Sequence, residues 1–293
     1  MEIPLSFEHK ELISQACARL QIPLSEYNFA NLFLFRHVHA YRLLEVSPAQ
    51  FAIVGRSYRK TVYFMPLFKP ENVDACLAMA KSANCDEIFP IPEMWFDELQ
   101  QQDVPFVTSD DDNDYLYSTE SIRSFKGRHY DGQRNAIRQF LSDHKVQPTQ
   151  LTDQTVPAAL HIINEWMGSK YADDRDHEFR LETLACQEGV QHAAELGLEG
   201  WIYEVDTTPV GILLGGPLTK TIYMFHFAKA LTGYRGLSAY MFQHAASVVN
   251  SSYTLLNWQQ DLGLETLRQA KHAYHPTAIA KKGRLLVTDV VSS

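Results

Sequence analysis

Cysteine is scarce in this chain. There are four in 293 residues, Cys17, Cys76, Cys85 and Cys186, and no two stand at C-x-x-C spacing. Three fall in helix-like apolar contexts, which argues against a disulfide framework and for ordinary core thiols in a reducing compartment. No run approaches the roughly 18 apolar residues that suggest a spanning helix. Met1 to His9 shows no basic region followed by an apolar stretch, so no signal peptide is expected and the reading is a cytoplasmic chain without a transmembrane segment. Positive charge is short as well: 26 Lys and Arg stand against 35 Asp and Glu, for a net charge of -9. That balance argues against a DNA-binding protein, whose electrostatics need a basic surface, and leaves room only for a local basic patch. There is no G-x-S-x-G, no P-loop and no H-E-x-x-H, and Gly215-Gly216-Pro217 reads as a strand-end break rather than a dinucleotide fingerprint. His37 with His39, and His272 with His275, lack further ligands at metal spacing, so no metal site is expected.

What is present is a well-folded composition. Aromatics make up 12%, with 16 Phe and 14 Tyr, and the length suits two domains of about 150 residues. In the first part, apolar spacing predicts a helix over 8–20. Three strand-like runs follow (41–46, 51–54 and 61–68), then a helix over 71–83, a strand over 87–91 and a short helix over 93–99. The acidic run Ser109-Asp110-Asp111-Asp112-Asn113-Asp114 is the clearest break in composition. It reads either as an interlobe linker or as a tight loop within the first lobe, and the domain boundary is placed shortly after it, giving lobes 1–118 and 119–293. The second part predicts helices over 133–144, 156–167 and 178–196, then a hairpin of 200–205 with 210–214. A strand over 221–227 precedes a helix starting after Gly236. A strand over 253–258, a helix over 264–274 and a last strand over 284–291 complete it. This order is that of the GNAT acyltransferase fold. The first part has a similar, shorter order, so the expected class is α/β (α+β): tandem GNAT-like folds with mixed, mostly antiparallel sheets flanked by helices.

Three segments carry a closer likeness: Tyr27-Asn28-Phe29-Ala30-Asn31-Leu32-Phe33-Leu34-Phe35; Asp114-Tyr115-Leu116-Tyr117 with Gly127-Arg128-His129-Tyr130 and Gln133-Arg134-Asn135; and Asn257 to Lys271 with Tyr274-His275-Pro276. On these the chain resembles the C-terminal aminoacyltransferase domain of phosphatidylglycerol lysyltransferases and its free-standing relatives. The resemblance implies an aminoacyl-tRNA donor, a lipid acceptor reached by peripheral contact with anionic lipid, and a substrate-binding place for Asn257. Three positions depart from the family pattern: Gln259 and Ala228 stand where acids are usual, and Thr266 where a glycine is frequent.

The candidate site residues have competing readings. Gly233-Tyr234-Arg235-Gly236-Leu237-Ser238 lies between a strand and a helix, where backbone N–H groups hold a donor's pyrophosphate in acyltransferases of this fold. Only Gly236 fits that pattern cleanly, and a plain turn is the stronger reading; acyl-coenzyme A thus enters as a co-substrate, with no tightly bound cofactor. Asp261, Arg268 and Lys271 form a second group. The two cations share a helix face, and Asp261 reads either as acid–base catalyst or as half of a structural ion pair. His226 and Lys229 end the third strand of the second lobe, where His226 would be a base and Lys229 a substrate contact. Tyr274 would protonate a leaving group, or else pack a helix end. Arg128, Arg134 and Arg138, with Arg123 and Lys126, form the densest basic stretch, either a nucleic-acid or phosphate patch or a solvated helix face. The expected function is acyl or aminoacyl transfer to an amine or hydroxyl. A protein that kept the fold as a non-catalytic binder is the alternative.

Overall fold

The computed structural model of the chain describes residues 2–58, 60–170 and 177–287. Its strands are β1 (Glu2–Pro4), β2 (Arg42–Ser47), β3 (Gln50–Arg56), β4 (Val62–Pro66), β5 (Glu87–Pro92), β6 (Val107–Thr108), β7 (Asp114–Ser118), β8 (Val146–Gln150), β9 (Glu199–Val205), β10 (Thr208–Pro217), β11 (Ile222–Ala230), β12 (Leu255–Asn257), β13 (Ala278–Ala280) and β14 (Lys282–Leu286). Its helices are α1 (Lys10–Leu20), α2 (Phe29–Leu34), α3 (Val73–Ser82), α4 (Phe96–Gln101), α5 (Thr119–Ser124), α6 (Asp131–Asp143), α7 (Val156–Lys170), α8 (His177–Gln191), α9 (Ala193–Leu196), α10 (Leu237–Val248) and α11 (Glu265–His272). The expected last strand is β14, and its residues 288–291 lie outside the described residues.

Two seven-stranded sheets form, in the orders β1-β2-β3-β4-β5-β14-β6 and β13-β7-β12-β11-β10-β9-β8. Each repeats one plan. An antiparallel meander (β2-β3-β4, and β9-β10-β11) feeds a helix whose crossover returns a parallel strand: β4 pairs with β5 around α3, and β11 with β12 around α10. Parallel neighbours need such a crossover. This is the mixed, mostly antiparallel architecture expected from the element order.

The chain divides into two units. One holds Met1–Tyr115, Gln260–Arg268 and Ile279–Ser293, and the other Leu116–Gln259 and Gln269–Ala278. A single cut after residue 118 does not represent this, because β14 pairs with β5 rather than with any strand of the second sheet.

The acidic run is a loop inside the first unit. Ser109 caps a 3-10 turn over Asp110–Asp112, and its carboxylates meet cations. Asp111 receives Arg268 at 2.6 Å and Asp112 receives Arg284 at 2.7 Å. Asp114, wholly buried, receives Lys282 at 2.8 Å.

In the second unit α10 packs on one face of β10 and β11, with α5 and α6 against it, while α7 covers β10 and β11 elsewhere and holds α8. The core is aromatic and aliphatic, with Tyr203, Leu213, Tyr223, Met224 and Phe140 almost fully buried. A face this apolar fixes strand register, since a one-residue slip would expose all of it.

Candidate functional site

In the second unit, β11 and β12 run parallel only over Ile222–Met224 against Leu255–Asn257. Beyond Met224 the two strands part. At that point β11 carries an extra residue: Gly215 opposes Phe225 and Leu214 opposes Phe227, which leaves His226 as a bulge. A bulge inverts side-chain alternation and so re-aims the side chains beyond it. Phe225 stacks on Phe242 of α10, with ring centroids 6.0 Å apart. Lys229, four residues on, would share that face in a regular strand. Instead its ammonium meets Glu182 of α8 at 2.6 Å and lies 3.8 Å from the centre of the Trp166 ring of α7. The substrate contact expected of Lys229 is therefore occupied by a buried ion pair with a cation–π contact.

The gap between the strands is bridged from the loop after β12. The Gln259 amide donates to the carbonyl of Phe225 at 2.9 Å and of His226 at 3.2 Å. Asn257, fully buried, accepts the Gln259 backbone N–H on Oδ1 at 2.6 Å, and Lys271 Nζ donates to the carbonyls of Trp258 and Gln259 at 2.5 and 2.8 Å. Asn257 and Lys271 thus shape this loop, with Tyr117 donating its hydroxyl to the Lys271 carbonyl.

His226 does not suit the role of base. Burial pushes its pKa down to about 3, so it stays neutral at physiological pH. Neither ring nitrogen has a hydrogen-bond partner among the described residues, and Trp258 Nε1 is likewise buried and unpartnered. Such orphans are rare in native proteins and call for an explanation. Both residues stand where β11 and β12 separate. Trp258 is the hub of an aromatic cluster, with Tyr117 at 4.1 Å, Phe242 at 4.2 Å and Tyr274 at 5.0 Å. The Tyr274 hydroxyl makes no hydrogen bond among the described residues, and burial pushes its pKa up to about 12, so it keeps its proton at neutral pH.

The Asp261 group resolves differently. Asp261 and Arg268 belong to the first unit and Lys271 to the second, and Asp261 pairs with Arg268 alone. Its carboxylate accepts Arg268 Nε at 2.7 Å and an Arg268 terminal N–H at 3.1 Å, the Tyr115 hydroxyl at 2.7 Å and the Gly263 N–H at 2.9 Å. Burial alone would raise the Asp261 pKa, but the donors from Arg268, Tyr115 and Gly263 together hold it below the ordinary value. An acid with both oxygens doubly donated is arranged as an ion pair and not as a base.

The basic stretch also divides. Arg134 donates to the carbonyls of Phe125 and Gly127 and to Asp131, so it ties down a loop instead of facing a ligand. Arg128 and Arg138 are exposed. Gly236 has a direct structural cause: its φ is +96°, and a Cβ there would lie 2.3 Å from the Ala136 carbonyl oxygen of α6.

Sequence reasoning missed four things: the His226 bulge, the Gln259 bridge, the Trp166–Glu182 cradle of Lys229, and the wholly buried Lys282 between Glu26 and Asp114. Only Gln259 had left a signal, as a departure from an expected acid.

A sheet with a meander, a crossover helix and strands that part beside a bulge defines a GNAT-like acyltransferase fold, present here in tandem. The chain belongs to the family described as phosphatidylglycerol lysyltransferase, C-terminal, whose model matches residues 18–282. A conserved protein of unknown function from Bacteroides thetaiotaomicron has a similar structure, with 20% identity, coverage of 97% of this chain and 98% of that one, and a TM-score of 0.86. L-PGS from Bacillus licheniformis is similar at 12% identity, 95% and 92% coverage and a TM-score of 0.61. A tandem GNAT protein from the clavulanic acid biosynthesis pathway is similar at 8% identity, 99% coverage of both chains and a TM-score of 0.50. A comparison with curated proteins found no match. Family and fold are acyltransferase-like. Among the described residues, no helix is long and apolar enough to cross a membrane.

Proposed function

We propose that the second unit transfers an aminoacyl or acyl group to an amine or hydroxyl acceptor where β11 and β12 part. The observation that carries this reading is the bulge at His226 beside that parting, with unpartnered N–H and O–H donors on Trp258 and Tyr274. The acceptor's lone pair attacks the ester or thioester carbonyl. The negative charge that forms on the carbonyl oxygen is held by preorganised donors; as the C–O or C–S bond breaks, Tyr274 gives its proton to the departing oxygen or sulfur and takes up the proton that the attacking amine or hydroxyl loses. His226 contributes a neutral wall, and Asn257, Gln259 and Lys271 position the loop that carries Trp258.

The family name favours an aminoacyl-tRNA donor and a lipid head group as acceptor. An acyl-coenzyme A donor is second, and would use the turn before α10, where Gly233, Arg235 and Ser238 are exposed. The binding-protein reading draws on Gln259, whose amide fills the angle between the strands.

Incubation with aminoacylated tRNA pools or acyl-coenzyme A, with phosphatidylglycerol vesicles or free amines as acceptors, tests the proposal. Label should reach an acceptor, and Tyr274→Phe should cut the rate about 100-fold or more with the melting temperature unchanged. Donor binding without turnover would leave the binding-protein reading.

A further inference from the structure

The β2-β3-β4 meander of the first unit carries a cavity of about 230 Å³, lined by Ala40, Arg42, Gly55, Arg56 and Val62. Strand register brings its two arginines together. Arg42 of β2 opposes Val54 of β3, and Arg56, two residues further along β3, opposes Val62 of β4. Residues two apart in a strand lie on one face. Arg42 and Arg56 are thus diagonal neighbours across β2 and β3, close enough for long side chains to meet. Arg56 is held by its backbone: its N–H donates to the His39 carbonyl at 2.8 Å, and its carbonyl accepts from His39 Nδ1 at 2.8 Å. The Arg56 side chain is exposed and makes no hydrogen bond or ion pair among the described residues. Arg42 pairs with Glu2 of β1 at 2.5 Å. Two like charges at this spacing repel, and the Glu2 carboxylate balances only one of them.

We propose that this cavity binds the phosphate group of a small soluble phosphomonoester between the Arg42 and Arg56 guanidiniums. A guanidinium gives two parallel N–H bonds to one oxyanion, and a phosphate has enough oxygens to receive both forks at once. A carboxylate satisfies one fork, which is the place Glu2 already fills on Arg42. Charge follows the same count, since a phosphomonoester carries about −1.5 to −2 at neutral pH and matches two cations. The volume lies below the roughly 300 Å³ at which pockets for drug-sized ligands begin, so the body attached to the phosphate is short, with Ala40 and Val62 as its apolar wall. A membrane surface suits the place less well. Asp86 accepts the Val62 N–H at 2.8 Å, so two carboxylates, Glu2 and Asp86, stand beside the arginines and would repel an anionic lipid surface. Glu2 also tunes the site, because it competes with the phosphate for Arg42. Every residue named belongs to the first unit, so the site stands apart from the transfer reading of the second.

The test is isothermal titration calorimetry of the full chain with ethyl phosphate, inorganic phosphate and acetate, beside a sedimentation assay with phosphatidylglycerol vesicles. Both phosphates should bind, and acetate more weakly. Arg56→Ala and Arg42→Ala should each weaken ethyl phosphate binding about tenfold or more, as expected for the loss of charged hydrogen bonds. Glu2→Gln should tighten it, because the competitor for Arg42 is gone. Melting temperatures check that each variant is folded. Arg56→Ala should melt like the parent because its side chain is unbonded, so a loss of binding there is a loss of contact and not of structure. Absence of phosphate binding, equal binding by Arg56→Ala and the parent, acetate binding as tightly as phosphate, weaker binding by Glu2→Gln, or binding to vesicles without binding to ethyl phosphate overturns the site.

Discussion

Gln259 donates its side-chain amide 2.9 Å to the carbonyl oxygen of Phe225, and to that of His226 just beyond, so an amide N–H faces two acceptors where the strands separate. This explains why an acid is absent here: an ionised carboxylate would face two carbonyl oxygens and donate to neither. Gln259→Glu is expected to destabilise the second unit by about 1–3 kcal/mol at neutral pH, the cost of unsatisfied buried acceptors. Because a protonated glutamic acid can donate, the loss should shrink below the carboxyl's pKa. Thermal melts at pH 4 and pH 7 check this, and an equal loss at both would mean the bridge is unimportant.

Gly236 and Gly233 share a left-handed backbone, with φ of +96° and +97°, but differ in surroundings. A Cβ at Gly236 meets the Ala136 carbonyl oxygen at 2.3 Å, and one at Gly233 meets nothing within 4 Å. Gly233→Ala should therefore cost only the backbone strain, about 1 kcal/mol. Gly236→Ala should cost that plus the displacement of α6 from the turn. Urea denaturation of both variants separates the terms, and equal losses would show that the close approach to Ala136 carries no weight.

Helices α6 to α8 and α10 were legible because apolar residues recur at helical spacing over long stretches. The β9–β10 hairpin was legible from alternation around a turn. Strand β7 was not read as a strand because it is short and begins with Asp114, a charge that local pattern places outside and that Lys282, 168 residues later, holds inside. Strand β8 is Val-Gln-Pro-Thr-Gln, a polar edge strand without an apolar stripe. The acidic run shows the same limit. Its mutual repulsion is visible locally, while the cations that neutralise it, Arg268, Lys282 and Arg284, come from the end of the chain. The candidate site was legible only as a set of residue types. Its geometry was not, since one extra residue at His226 decides which way Lys229 points.

His226 offers a measurable titration. Its pKa falls from 6.5 in the unfolded chain to about 3 in the fold, through burial. The unfolded state thus takes up a proton at a pH where the folded state cannot. The stability linked to this group is complete above pH 6.5 and is lost as pH falls from there toward 3. His226→Phe removes the titration, so the stability difference between parent and variant should change across that window and be constant above it. Denaturation midpoints at half-unit pH steps check this. A flat difference from pH 7 to pH 4 would contradict the buried, neutral ring.

Lys282 is a wholly buried charge in the first unit. It and Asp114 are wholly buried, and Glu26 is nearly so. Its ammonium reaches Glu26 and Asp114 at 2.8 Å each and Gln260 at 3.2 Å, while Ser25 donates its N–H to Asp114 at 2.6 Å. Burial works against the Lys282 charge, but the two carboxylates outweigh it and raise its pKa above the ordinary value. Two acids sharing one cation leave an excess of negative charge. Burial raises the Glu26 pKa despite Lys282, and Asp114 adds to the rise. Lys282→Met should cost about 3–5 kcal/mol, because it strands buried carboxylates. Adding Glu26→Gln and Asp114→Asn should recover much of that loss, which a simple packing defect would not. The Glu26 rise also fixes a sign. Its contribution to stability is complete below 4.5, its ordinary value, and is lost as pH rises toward the folded value. The stability of Glu26→Gln relative to the parent should therefore increase with pH above 4.5 and level off once Glu26 ionises in the fold. Urea titrations of parent and variant from pH 4 to pH 8 read this directly, and a relative stability that fell with pH would reverse the assignment.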